Sequence, residues 1–83
     1  MGEIDIIAEK DNIVRFIEVK YRENLEYGYA VEAVSKRKQE KIRKCAMWFL
    51  AERNIGDNIC YSFDVIAIQG NGIEYIFNSY GAM

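Results

Sequence analysis

Three charged side chains interrupt two apolar runs near the start of the sequence. Asp5 sits in "GEIDIIA", and Glu18 and Lys20 sit in "FIEVK". Two carboxylates and an ammonium are a set that can handle a divalent cation and a phosphate. Magnesium accepts a few carboxylates and completes its shell with water and substrate phosphates. Such a cation polarises a phosphodiester and generates a hydroxide nucleophile. A lysine alongside positions that water or offsets the developing negative charge. The rival reading is a surface one, in which Glu3 and Lys20 form a salt bridge with Asp5 and Glu18 solvated beside them. Asp…Glu-x-Lys alone is too short a pattern to decide. The setting favours a site, because the charges break apolar strands on a face that a sheet otherwise buries.

Whether the three groups meet depends on the elements that carry them. Residues 3–9 and 13–20 are rich in Ile, Val and Phe and read as two strands. Lys10-Asp11-Asn12 between them fits a tight turn, since Asp and Asn tolerate positive φ. With Asp11 and Asn12 as a two-residue loop, Lys10 pairs with Ile13. Asp5 then falls opposite Glu18, and Glu3 opposite Lys20. Directly opposed residues share a face, with Cβ atoms roughly 4.5–5.5 Å apart. Glu18 and Lys20, two positions apart, share it as well. A slip of one residue would send Asp5 to the other face. Opposed carboxylates repel unless something positive lies between them, either Lys20 or a divalent cation.

Residues 21–33 read as irregular, with Tyr21, Tyr27 and Tyr29 placed to stack on exposed bases or to pack the segment itself. Ser35 is an N-cap for a helix over "KRKQEKIRKCAMWFLAERN". Ile42, Cys45, Ala46, Phe49 and Leu50 recur at the spacing of a helix packed on a sheet. Asn54-Ile55-Gly56 ends it. Residues 60–68, "CYSFDVIAI", form a third strand, 69–72 a turn and 73–77 a fourth strand, and the tail from Asn78 reads as loose. The fold class expected is α/β in the order β-β-α-β-β, a mixed four-stranded sheet with one main helix on one face, in a single domain over residues 1–83. One helix covers one face only and leaves apolar residues on the other. A homodimer with C₂ symmetry is the simplest cover.

The helix opens on a basic run. Lys36, Arg37, Lys38, Lys41, Arg43 and Lys44 stand against the single acid Glu40, a local excess of +5 in a chain of net charge -2. Cations at a helix start oppose the macrodipole. Their placement there points to a phosphate-contacting surface, with Lys36, Arg37, Lys38 and Lys41 as the nucleic-acid-binding candidates. A solvated helix face is the plainer alternative. Lys38 lies four residues before Ile42, beside the sheet-facing stripe. It can reach a bound phosphate or snorkel at the helix edge.

Composition removes other classes. There is no His, which excludes His-based acid–base catalysis and the Ser-His-Asp triad. Cys45 and Cys60 have no CxxC spacing, so the common zinc sites are absent, and both are expected to be buried, reduced thiols. No apolar run approaches the ~18 residues of a membrane span. Ile6 occupies the place where a myristoylation signal needs Ser or Thr. No signal peptide precedes the first strand, and a cytoplasmic protein is expected.

"GEIDIIA", "FIEVKYR", "AVSKRKQEKI" and "FDVIAI", in this order and spacing, closely resemble the YraN-like family of small bacterial proteins. That family looks like a branch of the PD-(D/E)XK superfamily of restriction-endonuclease-like nucleases, similar in outline to archaeal-type Holliday junction resolvases. The resemblance runs from Gly2 to about Ile68. It implies that Asp5 and Glu18 are the metal-binding acids, that Lys20 is the catalytic lysine, and that Lys38 is a further characteristic position. It implies magnesium or manganese as cofactor and nucleic acid, DNA first and branched or structured, as substrate. Family members carry an upstream helix with a glutamate in a "GxxGE"-like motif, then another strand. This sequence opens at the hairpin, so the fold expected is a truncated core. The same departure leaves two alternatives: a catalytically inactive nucleic-acid-binding module, or a scaffold protein dimerising through the open sheet face. Ser62 stands where the family often has Arg, and Asp64 is expected to be structural.

Overall fold

The structure is a computed structural model, and it describes residues 4–22, 35–54 and 59–80. Gly2, Glu3, Tyr27 and Tyr29 lie outside the described residues. The elements are β1 (Ile6–Lys10), β2 (Ile13–Arg22), α1 (Lys36–Glu52), β3 (Cys60–Gln69) and β4 (Gly72–Ile76). The chain is thus α/β, in the order β-β-α-β-β. β1 begins at Ile6, so Asp5 precedes the strand rather than lying within it.

Asp11 and Asn12 both take positive φ, 55° and 64°. Two successive left-handed residues are the type I′ geometry that matches the twist of a hairpin. That turn sets the register, from Lys10 opposite Ile13 to Ile6 opposite Ile17. β2 and β3 pair in parallel, from Ile13 beside Cys60 to Arg22 beside Gln69. A parallel pair needs a long crossover, which α1 provides. β4 returns antiparallel through a turn in which Gly70 has φ 59°. The sheet order is β1-β2-β3-β4.

One core lies between α1 and one face of the sheet. Ile42, Ala46 and Leu50 from the helix meet Val14 and Phe16 of β2 and Phe63 and Val65 of β3. The ring of Phe16 stands edge-on to Phe49 at 6.0 Å and stacks on Phe63 at 5.6 Å. Strand alternation sends Tyr61, Phe63, Val65 and Ala67 to the helix side. The intervening Cys60, Ser62 and Asp64 therefore go to the other face. Cys45 is buried as expected, but Cys60 is exposed, because it opens β3 on the side α1 does not cover. The uncovered face keeps large apolar side chains in solvent, with Ile73 72%, Tyr75 43% and Ile6 42% exposed.

The tail also departs from expectation. Asn78, Ser79 and Tyr80 are held against β3 rather than loose. The Ser79 N–H donates to the Phe63 carbonyl at 2.7 Å, and the Tyr80 ring stacks on Phe63 at 5.5 Å. Among the described residues, no helix is long and apolar enough to cross a membrane.

Candidate functional site

Val14, Phe16, Glu18 and Lys20 form the row of β2 that faces the helix. The first two enter the core. The next two come where the helix begins, at the carboxyl ends of the parallel strands. In open α/β sheets, crevices at this end are where ligands bind. Glu18 is nearly as buried as the core, at 4% exposure.

A buried carboxylate needs compensating charge, and two lysines supply it. The Ser35 hydroxyl accepts from the Lys38 N–H at 3.2 Å and caps α1. This places Lys38 in the first turn, and its Nζ donates to Glu18 Oε2 at 2.7 Å. The Lys20 Nζ lies 3.4 Å from the same oxygen. The hydrogen bond to Glu18 holds the Lys38 pKa above its ordinary value, against the opposing pull of burial. The other oxygen, Glu18 Oε1, is buried and has no hydrogen-bond partner among the described residues.

Asp5 sits one step beyond the Ile6–Ile17 pair, alongside Glu18 in the hairpin register. Its Oδ2 accepts from the Val19 N–H at 2.9 Å. It is therefore tied to the backbone between Glu18 and Lys20. Asp5, Glu18 and Lys20 are brought together as the spacing suggested, and Lys38 joins them. Among the described residues, no group of three or more acidic or thiol side chains is arranged to hold a metal ion. The donor set is two carboxylates, with Glu18 Oε1 as the open oxygen. That set fits magnesium completed by water and a phosphate, and does not fit a closed protein cage.

The basic residues divide into two groups. Arg37, Lys38 and Lys41 line one open hollow with Ser35, of about 460 Å³. Lys36 faces a different hollow, beside Gln39, Glu40 and Arg43. No acidic residue lies in the first turn of α1. Lys38 is thus shared between the Glu18 carboxylate and the basic hollow.

A second polar cluster lies on the open face. Asp64 is fully buried there. It accepts from the Tyr75 hydroxyl and, at 2.8 Å, from the Asn78 N–H. Arg15 approaches Asp64 Oδ2 at 3.8 Å and lies over the Phe77 ring at 5.0 Å. Burial, then the bond to Asp64, pushes the Tyr75 hydroxyl pKa up. This network fastens β4 and the tail to β3, the structural part expected of Asp64. Ser62, beside Arg15 in the register, is buried with its hydroxyl unpartnered among the described residues.

Two contacts at the site escaped the spacing argument. The Lys38–Glu18 bond spans twenty residues and an intervening irregular segment, so no periodicity announces it. Tyr80 is the other. Its phenol pKa is pushed up to about 12, first by burial and then by the charge of Glu18. An aromatic residue three positions beyond a strand was the only available signal.

Comparison with known proteins shows the family. The model of a family described as "Uncharacterised protein family UPF0102" matches residues 1–68. A UPF0102 protein of Sulfurihydrogenibium sp. is 43% identical over 79 residues, covering 95% of this chain and 68% of that protein. One from Chloroherpeton thalassium is 50% identical over 67 residues, covering 81% of this chain and 51% of that protein. One from Vibrio parahaemolyticus is 42% identical over 80 residues, covering 94% and 66%. The chain spans between about half and two thirds of the length of these relatives.

Proposed function

The chain belongs to the family UPF0102, the YraN-like group, and from that premise we propose that it is a nucleic-acid-binding domain with a magnesium-dependent phosphodiesterase site. The observation that carries this reading is Glu18: a buried carboxylate with one open oxygen, gripped through the other by two lysines, one of them from a basic helix. Asp5 and Glu18 would hold the metal ion, magnesium or manganese. When bound, the ion supplies a polarised phosphoryl group and an ionised water. Lys20 orients the attacking water and offsets charge developing on the phosphate. Arg37, Lys38 and Lys41 bind backbone phosphates, which gives affinity without sequence preference. Branched or structured DNA is the substrate proposed first, on the resemblance to junction resolvases. A second copy of the chain is the proposed cover for the open sheet face.

The test is calorimetric titration of manganese and magnesium into the intact chain and into Asp5→Asn and Glu18→Gln. It is followed by cleavage assays on branched and linear DNA and on RNA. Binding that is lost in Glu18→Gln, with metal-dependent cleavage of one substrate class, is the expected result. Cleavage that survives Glu18→Gln unchanged would sink the assignment. One observation favours a second reading, a binding module without chemistry: Glu18 already carries a close ammonium partner, and among the described residues only two carboxylates are at hand. Metal binding and salt-dependent DNA affinity without cleavage would select it.

A further inference from the structure

Lys38 belongs to two sites at once. Its ammonium is bonded to Glu18 Oε2 at 2.7 Å, and its side chain lines the hollow with Ser35, Arg37 and Lys41. It is about one third exposed, whereas Glu18 is buried. The lysine can therefore move toward solvent, and the carboxylate cannot follow. Glu18 keeps Lys20 as a second cation and an open, buried Oε1. We infer that Lys38 is an exchange group. It neutralises Glu18 while no divalent cation is bound, and becomes a phosphate ligand in the Ser35–Arg37–Lys41 hollow once a cation takes the carboxylate. This inference rests on the metal-site reading above.

Electrostatics gives the sign of the coupling. A doubly charged ion on Glu18 repels an ammonium only a few ångströms away and satisfies the carboxylate in its place. The released ammonium lies beside two other cations, where an anion is the favourable neighbour. Phosphate in the hollow, in turn, draws Lys38 from Glu18 and frees the carboxylate for a cation. Cation and phosphate binding then promote each other by the same factor, as linkage requires. Without a phosphate, Lys38 competes with the cation, and removing its charge makes the cation bind more tightly.

The experiment titrates manganese into the intact chain and into Lys38→Met, with and without a short DNA duplex. In the intact chain, the duplex is expected to tighten manganese binding by about tenfold, a common size for such coupling. In Lys38→Met, manganese should bind more tightly than in the intact chain when no DNA is present, and the duplex should tighten it by a smaller factor than in the intact chain. Equal manganese affinity in both chains, with equal response to the duplex, overturns the exchange while leaving the metal site standing. Absence of manganese binding in both chains overturns the exchange and the metal site together. Should Lys38→Met fail to fold, the intact chain carries the test through the NMR signal of the Lys38 ammonium. Saturating magnesium must move that signal toward the position of a free lysine. A signal that stays at its hydrogen-bonded position overturns the exchange.

Discussion

Tyr80 places a buried hydroxyl, unpartnered among the described residues, where the charge of Glu18 reaches it. A free tyrosine ionises near pH 10, and this one at about 12. The folded state thus holds the phenol proton more tightly than the unfolded chain. The resulting stability is complete below pH 10 and is lost as pH rises through 12. In urea denaturation across that window, Tyr80→Phe should show a shallower decline than the intact chain. At pH 7 the same variant should be neutral or slightly stabilising, because it removes an unsatisfied hydroxyl. The residue scale was the least legible in the sequence. Asp5, Glu18 and Lys20 could be brought together because a two-residue turn fixes which positions face each other. Lys38 could be placed on the flank of its helix but not assigned a partner, since periodicity says nothing about where a helix start falls over a sheet. Asp64 stood out as a lone acid in an apolar strand. Its partners Tyr75 and Asn78 depend on the β3–β4 register and could not be named from spacing.

The helix and the hairpin were the most legible elements, because local chemistry alone specifies them. Ser35 both starts α1 and aims Lys38 at Glu18, so the cap is structural and positional together. Ser35→Ala should lower stability by about 1 kcal/mol, the usual cost of a lost N-cap, measured by thermal or urea unfolding. Frayed first-turn residues should also loosen Lys38 from Glu18, which an NMR spectrum of the lysine ammonium would register. Ile42, Cys45, Ala46 and Leu50 are buried as the spacing required, and Phe49 is partly buried against them. Strand ends were less well placed. β1 begins three residues later than the apolar pattern suggested, and β2 runs two residues further, to Arg22. Apolar content marks the middle of a strand, whereas its ends are set by the length of the partner it pairs with. The ordered tail is hidden from the sequence for the same reason. Nothing local holds Asn78–Tyr80. They are fixed by Asp64 and Phe63, fourteen or more residues earlier in the chain.

At the scale of the whole molecule, the described residues cover one face of the sheet with α1 and leave apolar side chains exposed on the other. An isologous pair of chains packed through Ile6, Ile73 and Tyr75 would bury these side chains without any further segment. Sedimentation equilibrium should show a concentration-dependent dimer, and Ile73→Lys should shift it to monomer while leaving manganese binding unchanged. A strictly monomeric chain would show that no second copy seats there. That one face would be open was legible from counting one helix against four strands. Which side chains it presents was not, since that depends on the register of β3 against β2. The same register separates the two thiols. Cys60 stands exposed at the start of β3, and Val65, the neighbour of Glu18, comes five residues later. At about 3.3 Å per residue, the exposed sulfur lies roughly 17 Å along the sheet from the carboxylate. Cys45, sealed under the helix, is shielded from reagents. The native chain therefore arrives with a single addressable anchor, remote from the site, on the face proposed to meet a second copy. A fluorophore or spin label attached there would sense dimerisation directly and leave the surroundings of Glu18 undisturbed.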